Sequence, residues 1–459
     1  MKIIILGAGK VGKTLTQHLA DEEHDLIVID LNADKVEAMV NQYDILGISG
    51  NGATSDILSE AGVEDTDIII AVTDSDELNI LACLMAKKMG TKYCIARVRN
   101  PDYLKQKTFM RDELGLSMII NPEFEAANEI RRILLFPSAF KIDTFVGGKI
   151  ELAEFRLSEK TKLNGLSLQN LTRISKTNIL ICAVQRKDEL IIPDGEFILN
   201  KGDRLYVTGC HRDLVRFCQD IGLFEQKTKK VIIVGGGRIS FYLSHQLIDQ
   251  GIQVKIIENN HHRCLELARK LPQAIIIESD GSEEEVLLEE GIADADALVA
   301  LTGLDEENIV LSLYGKHMSV KKTVAKITRM NFSGVLDQIE IDSIISPKDI
   351  IASHILRYVR AKANKDDDTS VKTLHRFINN EVEAMEFVVP QASKLVNQKI
   401  MDIQLKQNIL IAAISRENNL VIPKGTTTIH SNDHVIILTT KDHRIGKFSD
   451  IIGGNQYNQ

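Results

Sequence analysis

The chain opens on a short apolar run, Lys2-Ile3-Ile4-Ile5-Leu6, rich in β-branched side chains, which predicts a buried strand. Gly7-Ala8-Gly9-Lys10-Val11-Gly12 follows at once. Residues 14–20 come next, with Leu15 and Leu19 four apart on one predicted helix face. A second apolar run, 26–29, ends in Asp30. The alternation continues with a helix at 35–40, a strand at 45–48, a helix at 56–61 and a strand at 67–72. A helix over 78–89, with polar capping residues at 73–77, precedes a fifth strand at 93–96. Strands alternating with helices imply a parallel, doubly wound sheet.

The pattern then repeats. Val231-Ile232-Ile233-Val234 and Gly235-Gly236-Gly237-Arg238-Ile239-Ser240 restate the opening at an offset of 228, and Glu258 falls where Asp30 fell. Ser279-Asp280-Gly281 echoes Gly50-Asn51-Gly52. Val299-Ala300-Leu301-Thr302 echoes Ala71-Val72-Thr73, Asn308 matches Asn79, and Lys326 takes the place of Arg97. The intervening segments match as well. Residues 178–184 pair with 408–414, the Ile-Pro turns at Ile192 and Ile422 correspond, and 203–207 pair with 433–437. These are short strands separated by polar turns. The expected fold class is therefore α/β: a tandem duplication of a Rossmann-like parallel-sheet domain followed by a small β-rich α+β domain. The expected domains are 1–123, 142–226, 228–350 and 370–454.

Two connections stand out. Residues 123–136 have helical spacing (Ala126, Ile130, Ile133, Leu134) and suit either a crossover or dimerisation helix or one that closes its own domain. Residues 361–370, with Lys362, Lys365 and Asp366-Asp367-Asp368, read as a solvated linker.

Each part of the opening unit has a physical task. Gly7 permits the tight turn, Gly9 lets backbone approach a pyrophosphate, and Gly12 lets the helix pack closely. The free N–H groups at a helix start favour a phosphate. Asp30 lies 18 residues past Gly12, where a carboxylate accepts hydrogen bonds from ribose hydroxyls and repels a 2′-phosphate, favouring NAD(H) over NADP(H). Asn51 stands in a glycine-flanked turn at the carboxyl edge of the sheet, where open α/β sheets bind ligands.

Composition narrows the function classes. Apolar content of 44% and charged content of 26% are those of a globular protein, and a net charge of -9 argues against general nucleic-acid binding. No apolar run approaches the roughly 20 residues that span a bilayer. The first strand begins at Lys2, so no signal peptide is expected. The six cysteines form no CxxC pair and read as reduced, mostly buried thiols, with neither structural zinc nor a catalytic thiol expected. His211, beside Arg212 and Asp213, reads as an exposed helix start. His261-His262 reads as a surface pair ahead of a helix near Arg263, with no third metal ligand.

The duplicated glycine turns, the acids, Gly50-Asn51-Gly52-Ala53-Thr54, Thr73-Asp74 with Asn79, and Ala96-Arg97-Val98 together resemble the RCK family, which regulates potassium conductance. The resemblance covers nearly the whole chain. It implies a nucleotide-binding cytoplasmic subunit of a bacterial Trk-type potassium uptake system, peripheral on the inner face of the cell membrane. It also implies a homotetramer whose ring of eight RCK units sits beneath a TrkH/TrkG-type membrane subunit. NAD(H) and ATP/ADP are the implied ligands, with ATP favouring the conducting state and ADP opposing it. Carried over residue by residue, the first site is Gly7, Ala8, Gly9, Lys10, Val11 and Gly12 around the phosphates, Asp30 on the ribose, Asn51, Thr73 and Asp74 at the cleft edge, and Arg97 reaching back to the phosphates. The second is Gly235, Gly236, Gly237, Arg238, Ile239, Glu258, Asp280, Thr302 and Lys326.

Two departures mark the second copy. Ser240 replaces the third glycine, which is expected to loosen the helix–strand contact, and Lys326 offers a point charge where Arg97 offers a planar fork. The two sites are expected to differ in ligand or affinity. The alternative reading, an NAD-dependent oxidoreductase, needs a substrate domain with an acid–base group beside the nicotinamide. The small β-rich units offer no convincing His/Asp or Lys/Tyr pair, so no catalytic residue is assigned.

Overall fold

The computed structural model describes residues 1–22, 24–135, 141–145, 150–159, 161–187, 189–223, 228–328, 341–363, 373–377, 382–417, 419–440, 445 and 447–453. The acidic run at 366–368 lies outside them. The chain forms two compact bodies. One joins Met1–Arg131 to Lys229–Val359, and the other joins Arg132–Thr228 to Arg360–Gln459.

The first body holds two parallel sheets. Its first half comprises β1 Lys2–Leu6, α1 Lys10–Ala20, β2 Asp25–Asp30, α2 Ala33–Gln42, β3 Leu46–Ser49, α3 Ser55–Glu60 and β4 Ile68–Ala71. It continues with α4 Asp76–Met89, β5 Tyr93–Arg97, α5 Pro101–Leu104, α6 Lys107–Asp112, β6 Met118–Ile120 and α7 Pro122–Leu135. The strand order is β3-β2-β1-β4-β5-β6, the doubly wound dinucleotide-fold order. Ile3, Ile4, Ile5, Ile68, Ile69 and Ile70 are fully buried, as expected of central strands covered on both faces. Helix α1 starts at Lys10, four residues before the apolar spacing becomes visible, and buries Val11, Leu15 and Leu19 on one face.

The second body opens with a five-stranded antiparallel sheet: β7 Lys141–Phe145, β8 Ile150–Arg156, β9 Ile179–Arg186, β10 Glu189–Ile191 and β11 Arg204–Gly209, followed by α8 His211–Ile221. The second half of the first body comes next in the chain. Its elements are β12 Lys230–Val234, α9 Arg238–Ile248, β13 Gln253–Glu258, α10 His261–Lys270, β14 Ile275–Glu278 and α11 Glu284–Glu289. They end with β15 Ala297–Ala300, α12 Asp305–His317, β16 Lys322–Lys326, β17 Ser343–Ile345 and α13 Pro347–Ala363, in strand order β14-β13-β12-β15-β16-β17. The chain finishes with the second antiparallel sheet, β18 Thr373–Phe377, β19 Val382–Val388, β20 Ile409–Arg416, β21 Asn419–Val421 and β22 His434–Thr440.

Within the first body the two halves exchange their last helices. Ile351, Ala352, Ile355, Leu356 and Val359 of α13 are buried in one cluster with Ile3, Ile5, Leu15, Leu19 and Val28 of the first half. Tyr358 meets Tyr93 edge to face at 6.2 Å. In the other direction α7 packs on α9. Phe124 stands edge-on to Tyr242 at 5.5 Å, the Tyr242 hydroxyl accepts from Asn121 at 3.3 Å, and Gln246 donates to Asn128 at 3.0 Å. Of the two readings open for this helix, the structure adopts the crossover.

In the second body the two antiparallel sheets share a buried layer of Leu152, Cys182, Ala183 and Tyr206 with Val382, Ala384, Ala412, Ala413, Ile436 and Leu438. Each sheet also carries the same polar clasp. Arg186 grips the buried Asp203 through two hydrogen bonds of 2.9 and 2.8 Å, and Arg416 grips Asp433 through two of 2.8 Å. The second carboxylate oxygen of each also accepts a backbone N–H, from Asn200 and His430 respectively, at 2.8 Å. Cutting such a clasp opens a hole at the buried carboxylate and leaves the part-buried guanidinium and the backbone N–H groups without their acceptor. Asp203→Ala and Asp433→Ala should each destabilise the chain by about 2–3 kcal/mol in chemical denaturation. Asp→Asn at either position, which keeps an acceptor oxygen, should cost less.

Candidate functional site

The first glycine turn joins β1 to α1. Gly7 takes φ +111°, and its N–H donates to the Ile29 carbonyl at 2.8 Å. A Cβ on Gly12 would fall 1.8 Å from the Gly7 carbonyl oxygen, so the turn itself forbids a side chain there. A Cβ on Gly9 would meet nothing within 4 Å, because that face looks into a cavity. Asp30 closes the turn from β2. One carboxylate oxygen accepts from Ala8 N–H at 2.7 Å and the other from Asn32 N–H at 2.9 Å. Each oxygen keeps a lone pair for a further donor.

The opposite wall comes from the ends of β4 and β5. The fully buried Asn79 accepts from the Thr73 N–H and hydroxyl at 2.9 and 2.7 Å, and donates to the Thr73 and Arg97 carbonyls at 3.1 and 2.9 Å. It ties the two strand ends together. Arg97 is nearly buried, and its guanidinium reaches the Val72 and Thr73 carbonyls and lies 3.5 Å from the exposed Asp74 carboxylate. Burial first, then the neighbouring Arg99 charge, lowers the Arg97 pKa. Asn51 caps its own turn, accepting from Ala53 N–H at 3.0 Å.

The second half repeats these bonds. Gly235 takes φ +97°, Glu258 accepts from Gly236 N–H at 2.6 Å and from Asn260 N–H at 2.8 Å, and the buried Asn308 accepts from Thr302 N–H at 2.9 Å and donates to the Lys326 carbonyl at 2.9 Å. Lys326 donates to the Thr302 carbonyl at 2.5 Å. Ser240 does not leave its contact loose. It is fully buried, and its hydroxyl donates to the Gly235 carbonyl, the same carbonyl position that forbids a side chain at Gly12. Asp280 accepts from the Ser282 N–H and hydroxyl at 2.9 and 2.7 Å, which lowers its pKa.

Both turns open on one cavity of about 1110 Å³. From the first half it is lined by Gly7, Ala8, Gly9, Lys10, Val11, Asp30, Asn51, Thr73, Asp74 and Arg97. From the second it reaches Gly237, Arg238, Ile239, Ser240 and Lys326, but its lining does not extend to Gly235, Gly236, Glu258, Asp280 or Thr302. Gly12 packs behind the turn. The lining also includes Lys13, Lys35, Glu123 and Lys348, which the linear pattern does not single out. Glu123 and Lys348 enter on the first turns of the exchanged helices, each behind a proline, and the recurrence of Pro122 and Pro347 is the one local sign of them.

Seven cations, Lys10, Lys13, Lys35, Arg97, Arg238, Lys326 and Lys348, therefore face three carboxylates, Asp30, Asp74 and Glu123, in a protein of net charge -9. Lys326 is largely buried, and burial first lowers its pKa; the Asp305 carboxylate partly offsets this, and the Lys10 charge from the other half adds a smaller lowering. The cysteines pack elsewhere. Burial pushes the Cys94 thiol up to about 11 and raises Cys83, Cys182 and Cys218 as well, so these side chains are neutral packing groups near pH 7. His211 and His261 begin α8 and α10 as exposed residues paired with Glu151 and Glu278. Among the described residues no cluster of three metal-ligating side chains occurs, and no helix is long and apolar enough to cross a membrane.

The TrkA-N domain family matches residues 3–122 and 231–347, and the TrkA-C domain family matches 152–222 and 384–453. The chain belongs to the TrkA family. Among its relatives, the Trk system potassium uptake protein TrkA of Halomonas elongata is 34% identical over 448 residues, 97% of each chain. The TrkA homolog of Archaeoglobus fulgidus is 32% identical over 452 residues, 98% of this chain and 100% of that one. Among solved structures, the GsuK channel bound to NAD superposes with a TM-score of 0.63 at 19% identity, covering 96% of this chain and 77% of that chain. The GsuK RCK domain gives 0.62 at 19%, covering 96% and 92%. At that identity the likeness is one of fold, and the tandem organisation is that of the TrkA and RCK proteins.

Proposed function

We propose that this TrkA-family chain is the nucleotide-binding regulatory subunit of a Trk-type potassium uptake system. The observation that carries the reading is the shared cavity, where cations from two homologous glycine turns converge. Lys326 is held largely desolvated on this cavity with Lys10 of the other half on the same lining, and a polyphosphate between them supplies the counter-charge that burial withholds. A ligand there touches both halves, so its binding free energy depends on how the halves are set. That is the requirement for a ligand to shift a conformational equilibrium, with typical couplings of about 1–3 kcal/mol per site.

The ligands in this reading are NAD(H) and ATP/ADP. The named site residues of the first half hold phosphate and ribose, with Asp30 on the ribose. The partner is a TrkH/TrkG-type membrane subunit reached from the cytoplasmic face. The working form is a homotetramer, each chain supplying two RCK units from domains 1–123, 142–226, 228–350 and 370–454. The relatives' potassium-uptake names and the NAD-bound RCK channel with the same fold support it. The cavity's lining offers cations placed for phosphates, and the potassium-uptake names of the full-length relatives favour regulation over dehydrogenation.

Calorimetric titration of the purified chain with NADH and ATP, with NADH absorbance followed in parallel, tests this reading. Saturable binding without NADH oxidation is expected; turnover of NADH with a metabolite would overturn it. A Cβ at Gly9 points into the cavity and meets no protein atom within 4 Å, so Gly9→Val should weaken binding at least tenfold, about 1.4 kcal/mol, with little change in thermal midpoint. Asp30→Ala should weaken NADH binding about tenfold and also lower stability, since it frees the Ala8 and Asn32 N–H groups.

Lys326 gives a pH test. Its pKa in the free protein lies below the ordinary lysine value of 10.5, and a bound polyanion favours the charged form and raises it again. ATP affinity should therefore be full below the free-protein pKa and decline as pH rises through it. Lys326→Met should bind ATP more weakly near pH 7 and lack the part of the decline that sets in below pH 10.5.

A further inference from the structure

The two halves differ at one side chain that the glycine motif does not include. Arg263 stands in the first turn of α10, five residues after Glu258, where the first half has Lys35 after Asp30. Lys35 is exposed and lines the shared cavity. Arg263 folds back instead. Its guanidinium donates to the Gly236 carbonyl at 2.6 Å and to the Gly237 carbonyl at 3.2 Å. Glu266 accepts its third bond at 2.5 Å, and Lys270 holds the other oxygen of Glu266 at 2.7 Å. The corresponding residues of the first half are Ala38 and Gln42, which cannot build this anchor.

In an open α/β nucleotide fold the ribose lies between the glycine turn and the acid at the end of the second strand. That is the space beside Gly236 and Glu258. The shared cavity reaches the equivalent Ala8 and Asp30 in the first half and stops short of Gly236 and Glu258 in the second. The phosphate side of the second half, at Gly237, Arg238 and Lys326, stays on the cavity.

We propose that Arg263 sets the ligand preference of the second half: it covers the ribose side of the second glycine turn, so this half takes the phosphate groups of a nucleotide and admits an adenosine ribose only when Arg263 swings away. The proposal rests on the nucleotide reading above. It makes the halves unequal, the first open to a whole nucleotide and the second reserved for polyphosphate until the Arg263–Glu266–Lys270 anchor releases.

The test is calorimetric titration of the full chain with NADH, and with inorganic tripolyphosphate as a ribose-free probe. Gly9→Val weakens the first half so that the second can be followed, and Arg263→Ala, Arg263→Lys and Glu266→Ala are each added to it. Arg263→Ala should tighten second-half NADH binding about tenfold, equivalent to about 1.4 kcal/mol, while tripolyphosphate affinity changes less than twofold. Arg263→Lys, which restores the residue type of position 35, should act in the same direction. Glu266→Ala, which leaves the guanidinium in place without its anchor, should give a smaller gain. NADH binding unchanged or weakened by all three variants, with the first half of the parent chain still binding NADH, overturns the proposal alone. No NADH binding by any protein, the parent included, overturns the proposal, and the nucleotide reading falls with it when ATP does not bind either.

Discussion

The exchange of terminal helices holds this architecture together. Helix α13 buries five aliphatic side chains against the first sheet, and each large one contributes on the order of 1.5–3 kcal/mol by leaving water. No half of the first body has a complete core without the other. The exchange also brings the first turns of α7 and α13 to the cavity mouth, carrying Glu123 and Lys348 to a place that neither glycine unit reaches alone. Duplication within one chain thus produces a pseudo-symmetric pair whose two glycine turns must open on common space.

That space is costly to keep apart from a ligand. Cations gather there because each half brings lysines and arginines from its own glycine turn and strand ends, and in a low-dielectric cleft like charges repel more strongly than at a surface. The lowered pKa of Lys326 records chiefly its burial, partly offset by the Asp305 carboxylate, with the Lys10 charge a smaller addition. In the proposed reading, phosphate held among these cations links occupancy to the separation of the halves. Asymmetry is layered on this scaffold by few residues. Ser240 satisfies a carbonyl that Gly12 merely avoids, Lys326 replaces a fork with a point charge, and Arg263 lies on a turn that Lys35 leaves uncovered.

Much of the fold was legible from local pattern. The isoleucine runs mark central strands because burial on both faces leaves no polar alternation, and an offset of 228, drifting to 229 and then 225, carries the six strands of the first sheet onto those of the second. The start of α1 was not legible, since Gly9 and Gly12 interrupt the apolar spacing while the turn geometry still sets the helix from Lys10. The helix exchange left no trace in periodicity. An apolar stripe on residues 123–136 looks the same whether it covers its own sheet or a neighbour's. The acids Asp30 and Glu258 were identifiable by distance from the glycines, but Arg263 was not, because only the folded turn brings its guanidinium over Gly236. The clasps Arg186–Asp203 and Arg416–Asp433 were hidden for a similar reason: 17 residues and a hairpin separate the partners.

The coupling of nucleotide to the setting of the two halves can be read as a distance. Nitroxide labels on Ser59→Cys and Leu288→Cys, in a Cys210→Ser background, report the separation of α3 and α11 by pulsed electron resonance. Coupling through the shared cavity predicts that saturating ATP and saturating NADH give two different distance distributions, each reached at the ligand ratio where calorimetry saturates. Tight binding of both ligands with distributions identical to each other and to that of the free chain would contradict it.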